Sequence, residues 1–323
     1  MLVRRIGLVL SIIVMAAACG GGDGAGGGAD GSWEERLALL PLLDHDDGTV
    51  EVSMGDLAVA AELAEVDWPP AEGGEVDSFL ALAGARGSAV AVPLPFFVQQ
   101  LGPDALIDDL RAEAGWALDD LDWLATAAVR PTEVTVGAGR IDADAIGSTL
   151  GGDGPPWRVG SGEDLDTSLE DPHLLDSLGR PVTMTVVDGV LGFGTVADSI
   201  SALEGEGPTM AEVEPVRRLV ALADERGCYG LTLAAGPDMA QMVCSMAEVD
   251  AGPQVIVAAV GIEDPVAEVE RIGGMDSSDT ADSVTVTADE DMVIVEIDAV
   301  DDLPGSVAQQ LLFRLDPLVP GFG

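Results

Sequence analysis

The chain has no lysine and no asparagine: all 14 of its basic residues are arginine, and they face 58 acidic ones for a formal charge of −44. Part of this bias follows the codons of a GC-rich genome, in which Lys, Asn, Tyr and Phe grow scarce while Ala, Gly and Arg accumulate. Codon bias does not explain a fourfold excess of acid over base. That excess excludes nucleic acid as a partner, since neutralising phosphates takes patches of Lys and Arg. It also argues against direct contact with anionic lipid headgroups, which attract basic segments. Two readings of the acidity remain, a surface kept soluble in saline surroundings or a cation-binding surface.

Chemistry-bearing residues are scarce too. Two histidines, His45 and His173, lie in acidic loops (LLDHDDGT and LEDPHLLD). The chain contains no G-x-S-x-G elbow, no P-loop and no H-E-x-x-H. Gly192 and Gly194 follow a strand pattern, but a third glycine is missing and the segment reads as a hairpin, so dinucleotide binding is not expected. Carboxylates are so abundant that pairing two of them for glycosidase chemistry carries no information. No catalytic residue is assigned and the chain is not expected to be an enzyme. Asp44 and Asp46, and then Asp276, Asp279 and Asp282, have the oxygen density that Ca²⁺ prefers. Neither group has the spacing of a twelve-residue calcium loop, so both read as solvated acidic turns and no metal or other cofactor is expected.

What is present begins at the first residue. Arg4 and Arg5 precede an apolar run, Ile6 to Met15, which leads into Ala16, Ala17, Ala18 and then Cys19. The run to Ala18 is too short to cross a bilayer as a helix, but it has the three parts of an export signal. After Cys19, the stretch Gly20 to Gly31 holds eight glycines in twelve residues, a composition that forms neither helix nor strand and behaves as a flexible tether. The leader, the cysteine after the small residues and the glycine-rich segment resemble a bacterial lipoprotein of the lipobox type, and with the composition they resemble uncharacterised lipoproteins of GC-rich Gram-positive bacteria. Ala16 departs from that pattern, which usually has Leu or Val there.

The resemblance implies cleavage before Cys19, a diacylglycerol and acyl anchor on its sulfur, and a cell-membrane location on the extracytoplasmic face; it brings no activity with it, and the partner beyond the membrane is left open between an envelope protein and a small molecule. The cut would remove Arg4 and Arg5 and no acid, taking the charge from −44 to −46. With Cys19 acylated, Cys228 and Cys244 remain as one pair, and an oxidising compartment favours a disulfide between them. Tyr229 to Ala235 reads as a strand, and Gly236-Pro237 as a turn into a short helix that returns Cys244 to Cys228.

The organisation expected is a signal peptide (1–18), a tether (19–31), a first α+β unit (32–206) and a second (207–323). Three segment pairs suggest an internal duplication. Gly48 to Leu63 matches Gly227 to Val243, Pro131 to Leu150 matches Pro253 to Ile272, and Val182 to Thr195 matches Val284 to Ile297. They read respectively as strand-turn-helix, as strand with an acid-capped helix, and as β-hairpin. Further helices are expected at Val196 to Leu203 and Gly305 to Leu315. Each unit would have about four strands in an antiparallel or mixed sheet with packed helices.

The first unit carries an insertion, about Trp68 to Val129, with helices expected around Leu106 to Glu113 and Asp120 to Ala128, the latter capped by Asp119. Its apolar stretch Val92 to Val98, with Phe96 and Phe97, reads as a loop packed on the sheet or as a ligand contact. Function narrows to a non-catalytic binding or interaction domain at the cell envelope, or to a solute-binding lipoprotein of a transporter. A deep cleft between lobes would mark the second.

Overall fold

Alternation of inward and outward side chains, with turn residues at the breaks, builds most of this domain. In a computed structural model the described residues are 31–43, 49–71, 74–83, 90–94, 98, 105–152, 154–170, 172–176, 178–246, 254–275, 281–299 and 319–321. They form an α+β fold around one open, continuous sheet of eleven strands. The strands are β1 (Val50–Asp56), β2 (Leu121–Val129), β3 (Thr132–Gly139), β4 (Trp157–Val159), β5 (Val182–Val187), β6 (Val190–Gly194), β7 (Cys228–Ala235), β8 (Ala240–Met246), β9 (Gln254–Val260), β10 (Ala281–Asp289) and β11 (Met292–Ala299). Their spatial order is β10-β11-β9-β8-β7-β1-β2-β3-β6-β5-β4, and all neighbours are antiparallel. The helices are α1 (Trp33–Leu37), α2 (Leu57–Leu63), α3 (Glu75–Leu82), α4 (Leu110–Ala114), α5 (Ala143–Leu150), α6 (Glu214–Arg226) and α7 (Pro265–Gly273). A π-helical turn at Ala105–Asp109 leads into α4, and Ala197–Glu204 forms a 3₁₀ helix.

Local chemistry sets the helix boundaries. In α6, Pro215 stands in the first turn and Gly227 closes the end at φ 68°, the arrangement that fixes a start and a left-handed stop. Val216, Leu219, Val220 and Ala223 fall on one stripe and are buried, so the helix lies against β7, β8 and β9. The Asp142 carboxylate accepts from the Asp144 and Ala145 amides to cap α5, and Asp264 accepts from Ala267 at the head of α7. Both acid-capped helices are where the sequence placed them.

Apart from the outermost strand β10, which is largely exposed, the sheet is covered on both faces. One face carries Val52, Met54, Leu231, Leu233, Met242 and Ile256 beneath α1, α6 and the 3₁₀ helix. The other face is covered by two separate clusters. The first gathers Leu57, Leu82, Leu110, Trp116, Ile146 and Trp157 over one half of the sheet, and the second gathers Val243, Val257, Ile272, Val293 and Val295 over the other.

Two helices expected from sequence are strands instead. Asp120 to Ala128 forms most of β2: its Leu and Ala favour helix, but β1 and β3 flank it with continuous registers and tertiary pairing overrides that preference. Trp123, Ala125 and Ala127 face one side and Leu124 and Thr126 the other, all buried. A strand covered on both faces loses the polar alternation that would reveal it. The same reason makes β8, expected as a returning helix, a strand: Ala240, Met242 and Cys244 line one face while Gln241, Val243 and Ser245 line the other, and all are buried. Asp119 consequently caps no such helix; its carboxylate takes the Arg111 guanidinium at 2.6 Å. The short β4 was also absent from the sequence reading.

The expected hairpins β5–β6 and β10–β11 both form, each closing on a two-residue turn with positive φ at its first residue, Asp188 (49°) and Glu290 (55°). The expected helix at Leu106 to Glu113 appears as the π-helical turn and α4. The one expected at Gly305 to Leu315 lies outside the described residues.

Candidate functional site

Where the chain passes into α6 it meets the segment that precedes β1. The Leu42 amide donates to the Pro208 carbonyl and the Met210 amide to the Leu40 carbonyl, both at 2.9 Å. Beside this clamp opens a cavity of about 310 Å³ lined by Leu43, Thr132, Val196, Ser199, Ser201 and Glu206 among others. Among the described residues its lining includes Asp198 and Glu206 and no cation, so it suits a neutral or cationic group better than an anion. The volume sits at the lower end of small-molecule pockets.

Next to Thr132 lies a cluster of charges that sequence reading missed. Asp176 is 6% exposed and grips Arg180 through the guanidinium Nε (2.7 Å) and a second nitrogen (2.6 Å). Arg180 also donates to the Pro131 carbonyl at 2.6 Å, tying the β4–β5 connection to the β2–β3 turn. Glu133 sits beside this pair. Burial pushes its carboxyl above its ordinary 4.5, Arg180 and Arg130 pull the other way, and Asp176 and Glu51 add repulsion.

A carboxyl raised on folding binds its proton more tightly in the folded state. The folded chain is therefore favoured below the ordinary carboxylate value, and that advantage is lost as pH rises from about 4.5 through the raised value. Glu133→Gln should remove this dependence and stabilise the protein at pH 7 relative to wild type. Urea midpoints of the two proteins between pH 4 and 8 test this, and curves that stay parallel throughout would refute it.

A second unforeseen arrangement surrounds Arg36, 5% exposed. Its guanidinium stacks between the rings of Trp33 (4.6 Å) and Trp123 (5.0 Å) and donates to Asp56 at 2.9 Å. Asp56 uses its other carboxylate oxygen to cap α2 through the Val59 amide.

Cys228 and Cys244 form a disulfide, with Cα atoms 6.0 Å apart. Adjacent strands bring them together, since Leu231 pairs with Cys244 and Cys228 with Met246 across β7 and β8; the returning helix expected for this purpose does not exist. In the apolar stretch, Val92 and Leu94 are buried. Gly55 and Gly230 are paired across β1 and β7, and a Cβ on them would meet Val92 at 2.1 Å and Pro93 at 2.6 Å. These glycines let the loop lie flat on the sheet, where the Ala91 amide donates to the Tyr229 hydroxyl. That part of the stretch packs on the sheet, while Phe96 and Phe97 lie outside the described residues.

Cys19, His45, Asp44, Asp46, Asp276 and Asp279 also lie outside the described residues, and Asp282 is exposed at one end of β10. Among the described residues no group of three or more His, Cys, Asp or Glu side chains could hold a metal ion, and no helix is long and apolar enough to cross a membrane. His173 Nε2 lies 2.7 Å from the Arg180 carbonyl and Nδ1 is buried without a partner. No family model matches the chain, and no curated protein or solved structure matches it.

Proposed function

We propose that this chain is a lipid-anchored, extracytoplasmic lipoprotein whose folded domain works by binding at the cell envelope, without catalysis. The observation that carries the reading is the leader ending in Cys19 and followed by the glycine-rich segment to Gly31. The first described helix starts directly after that segment, at Trp33, with Ser32 and Glu35 forming a reciprocal capping box. A single continuous sheet supports an interaction module over a two-lobed solute receptor, whose ligand sits in a cleft between lobes. The small cavity beside Thr132 is where a ligand of such a module would fit.

The same reading makes the domain two copies of one unit. In support, β1-β2-β3-β6-β5 and β7-β8-β9-β11-β10 follow the same order outward from the β1–β7 seam. Asp142 with Asp264, which cap the helices after β3 and β9, and Asp188 with Glu290, the positive-φ residues of the two hairpin turns, occupy matching places. The registers agree with that matching: Ala138 pairs with Val190 in one half, and their counterparts Val260 and Met292 pair in the other.

The test is Cys19→Ala in a bacterium that processes lipoproteins. Wild type should fractionate with membranes and incorporate labelled palmitate, and the variant should lose both. A wild-type chain that takes up no label, or a variant that stays on the membrane, overturns the anchor.

A further inference from the structure

The two ends of the sheet are finished differently. On one side β5 is covered by β4, which pairs with it through Trp157, Arg158 and Val159. On the other side β10 is outermost, and among the described residues no strand pairs with the edge it turns away from β11. Asp282, Ser283, Thr285, Thr287, Ala288 and Asp289 are exposed there. A strand edge left open presents unpaired N–H and C=O groups to any second strand, and proteins that must avoid pairing guard it with Lys, Pro, a central charge or a β-bulge. From Ser283 to Ala288, β10 has none of these: its carboxylates, and its one bulge between Ala281 and Ser283, stand toward the ends.

We infer that the β10 edge is a docking surface for a second copy of this chain, joined antiparallel about a two-fold axis at Thr285. The strand reads ADSVTVTAD and is nearly self-complementary in that register. Thr285 meets its own copy, Val284 meets Val286, and Ser283 meets Thr287. The register runs from Ser283 to Thr287, since β10 bulges between Ala281 and Ser283, and Asp282 and Asp289 both lie outside it. No carboxylate faces a carboxylate, so the direct like-charge opposition that destabilises sheet pairs is absent. A two-fold contact of this kind is isologous and closes at a dimer.

The contact would repeat a geometry the protein already uses. The β1–β7 seam is an antiparallel pair in which Ser53 stands opposite Thr232, and a β10 pair would continue the same sheet with the same faces aligned. The opposing force is the charge of each copy, −44 over the full chain. Because salt at 1 M shortens the screening length to about 3 Å, association should strengthen with ionic strength.

The test uses the full chain carrying Cys19→Ser, so that an introduced cysteine is its only free thiol. Sedimentation should show a dimer whose dissociation constant falls at least tenfold between 0.1 and 1 M NaCl. Adding Thr285→Cys should give a disulfide-linked dimer under mild oxidation, while Thr287→Cys, whose counterpart is Ser283, should not. Thr285→Asp should be monomeric at an unchanged melting temperature. A parent chain that stays monomeric at both salt concentrations overturns the inference, as does a dimer that Thr285→Cys fails to link.

Discussion

Arg36→Ala is expected to cost about 3–5 kcal/mol of folding stability, the range for removing one partner of a buried ion pair. The residue is 5% exposed and Asp56 15%, so the substitution leaves a carboxylate shielded from water without its cation. Two stacking contacts go with it, to Trp33 and Trp123, and with them the link between α1, β1 and β2. Arg36→Lys should recover only part of the loss, because an ammonium keeps the charge but lacks the flat surface that two indoles sandwich. Arg217 provides the contrast. Its partner Glu214 lies on the same exposed helix turn, with side chains 48% and 59% exposed, and Arg217→Ala should leave the urea midpoint essentially unchanged. Urea denaturation of the three variants separates these outcomes, and an Arg36→Ala loss below about 1 kcal/mol would show that the pair is not a structural anchor.

The parts of the fold legible in the sequence were those whose signal is local. Asp142 and Asp264 stand just before apolar-spaced runs, and both cap helices. Val182 to Thr195 and Val284 to Ile297 alternate with turn residues between, and both are hairpins. β2 and β8 were illegible because both of their faces are covered, which removes the polar alternation that marks a strand. Leu121 and Leu124 have helical spacing, and so do Met239, Met242 and Val243; only the flanking strands make every second residue the relevant one.

The candidate site was hidden because its members lie far apart in the sequence. Glu133 meets Asp176 and Arg180 across the β4–β5 connection, and Arg36 reaches Asp56 and Trp123 across two strands. None of these sets has a spacing that could be searched for. A partial signal did exist: Arg36 and Arg180 are two of only 14 cations among 58 acids, and in such a chain each arginine has many carboxylates to choose from. Burial, which the sequence does not state, decides which choice matters.

Reducing the Cys228–Cys244 bond should cost about 3 kcal/mol, the chain-entropy value for closing a loop of this size, here with a sequence separation of 16. The β7–β8 hairpin holds the two residues close whether or not the bond exists, so little of the effect resides in the folded state. It resides in the unfolded chain, where the bond removes conformations that the free hairpin segment would explore. Reductant on the wild-type protein is a cleaner probe than replacing the cysteines, since it breaks the bond without opening a cavity around side chains that are 7% and 0% exposed. That same burial denies a reductant access to the sulfurs. Loss of the bond under native conditions should therefore follow unfolding events, and its rate should rise with urea. Equal unfolding midpoints with and without reductant, after the free thiols have been counted to prove reduction, would refute the expectation. A chain held in a reducing compartment would fold with that much less stability, so the disulfide couples the fold to the oxidising surroundings proposed for it.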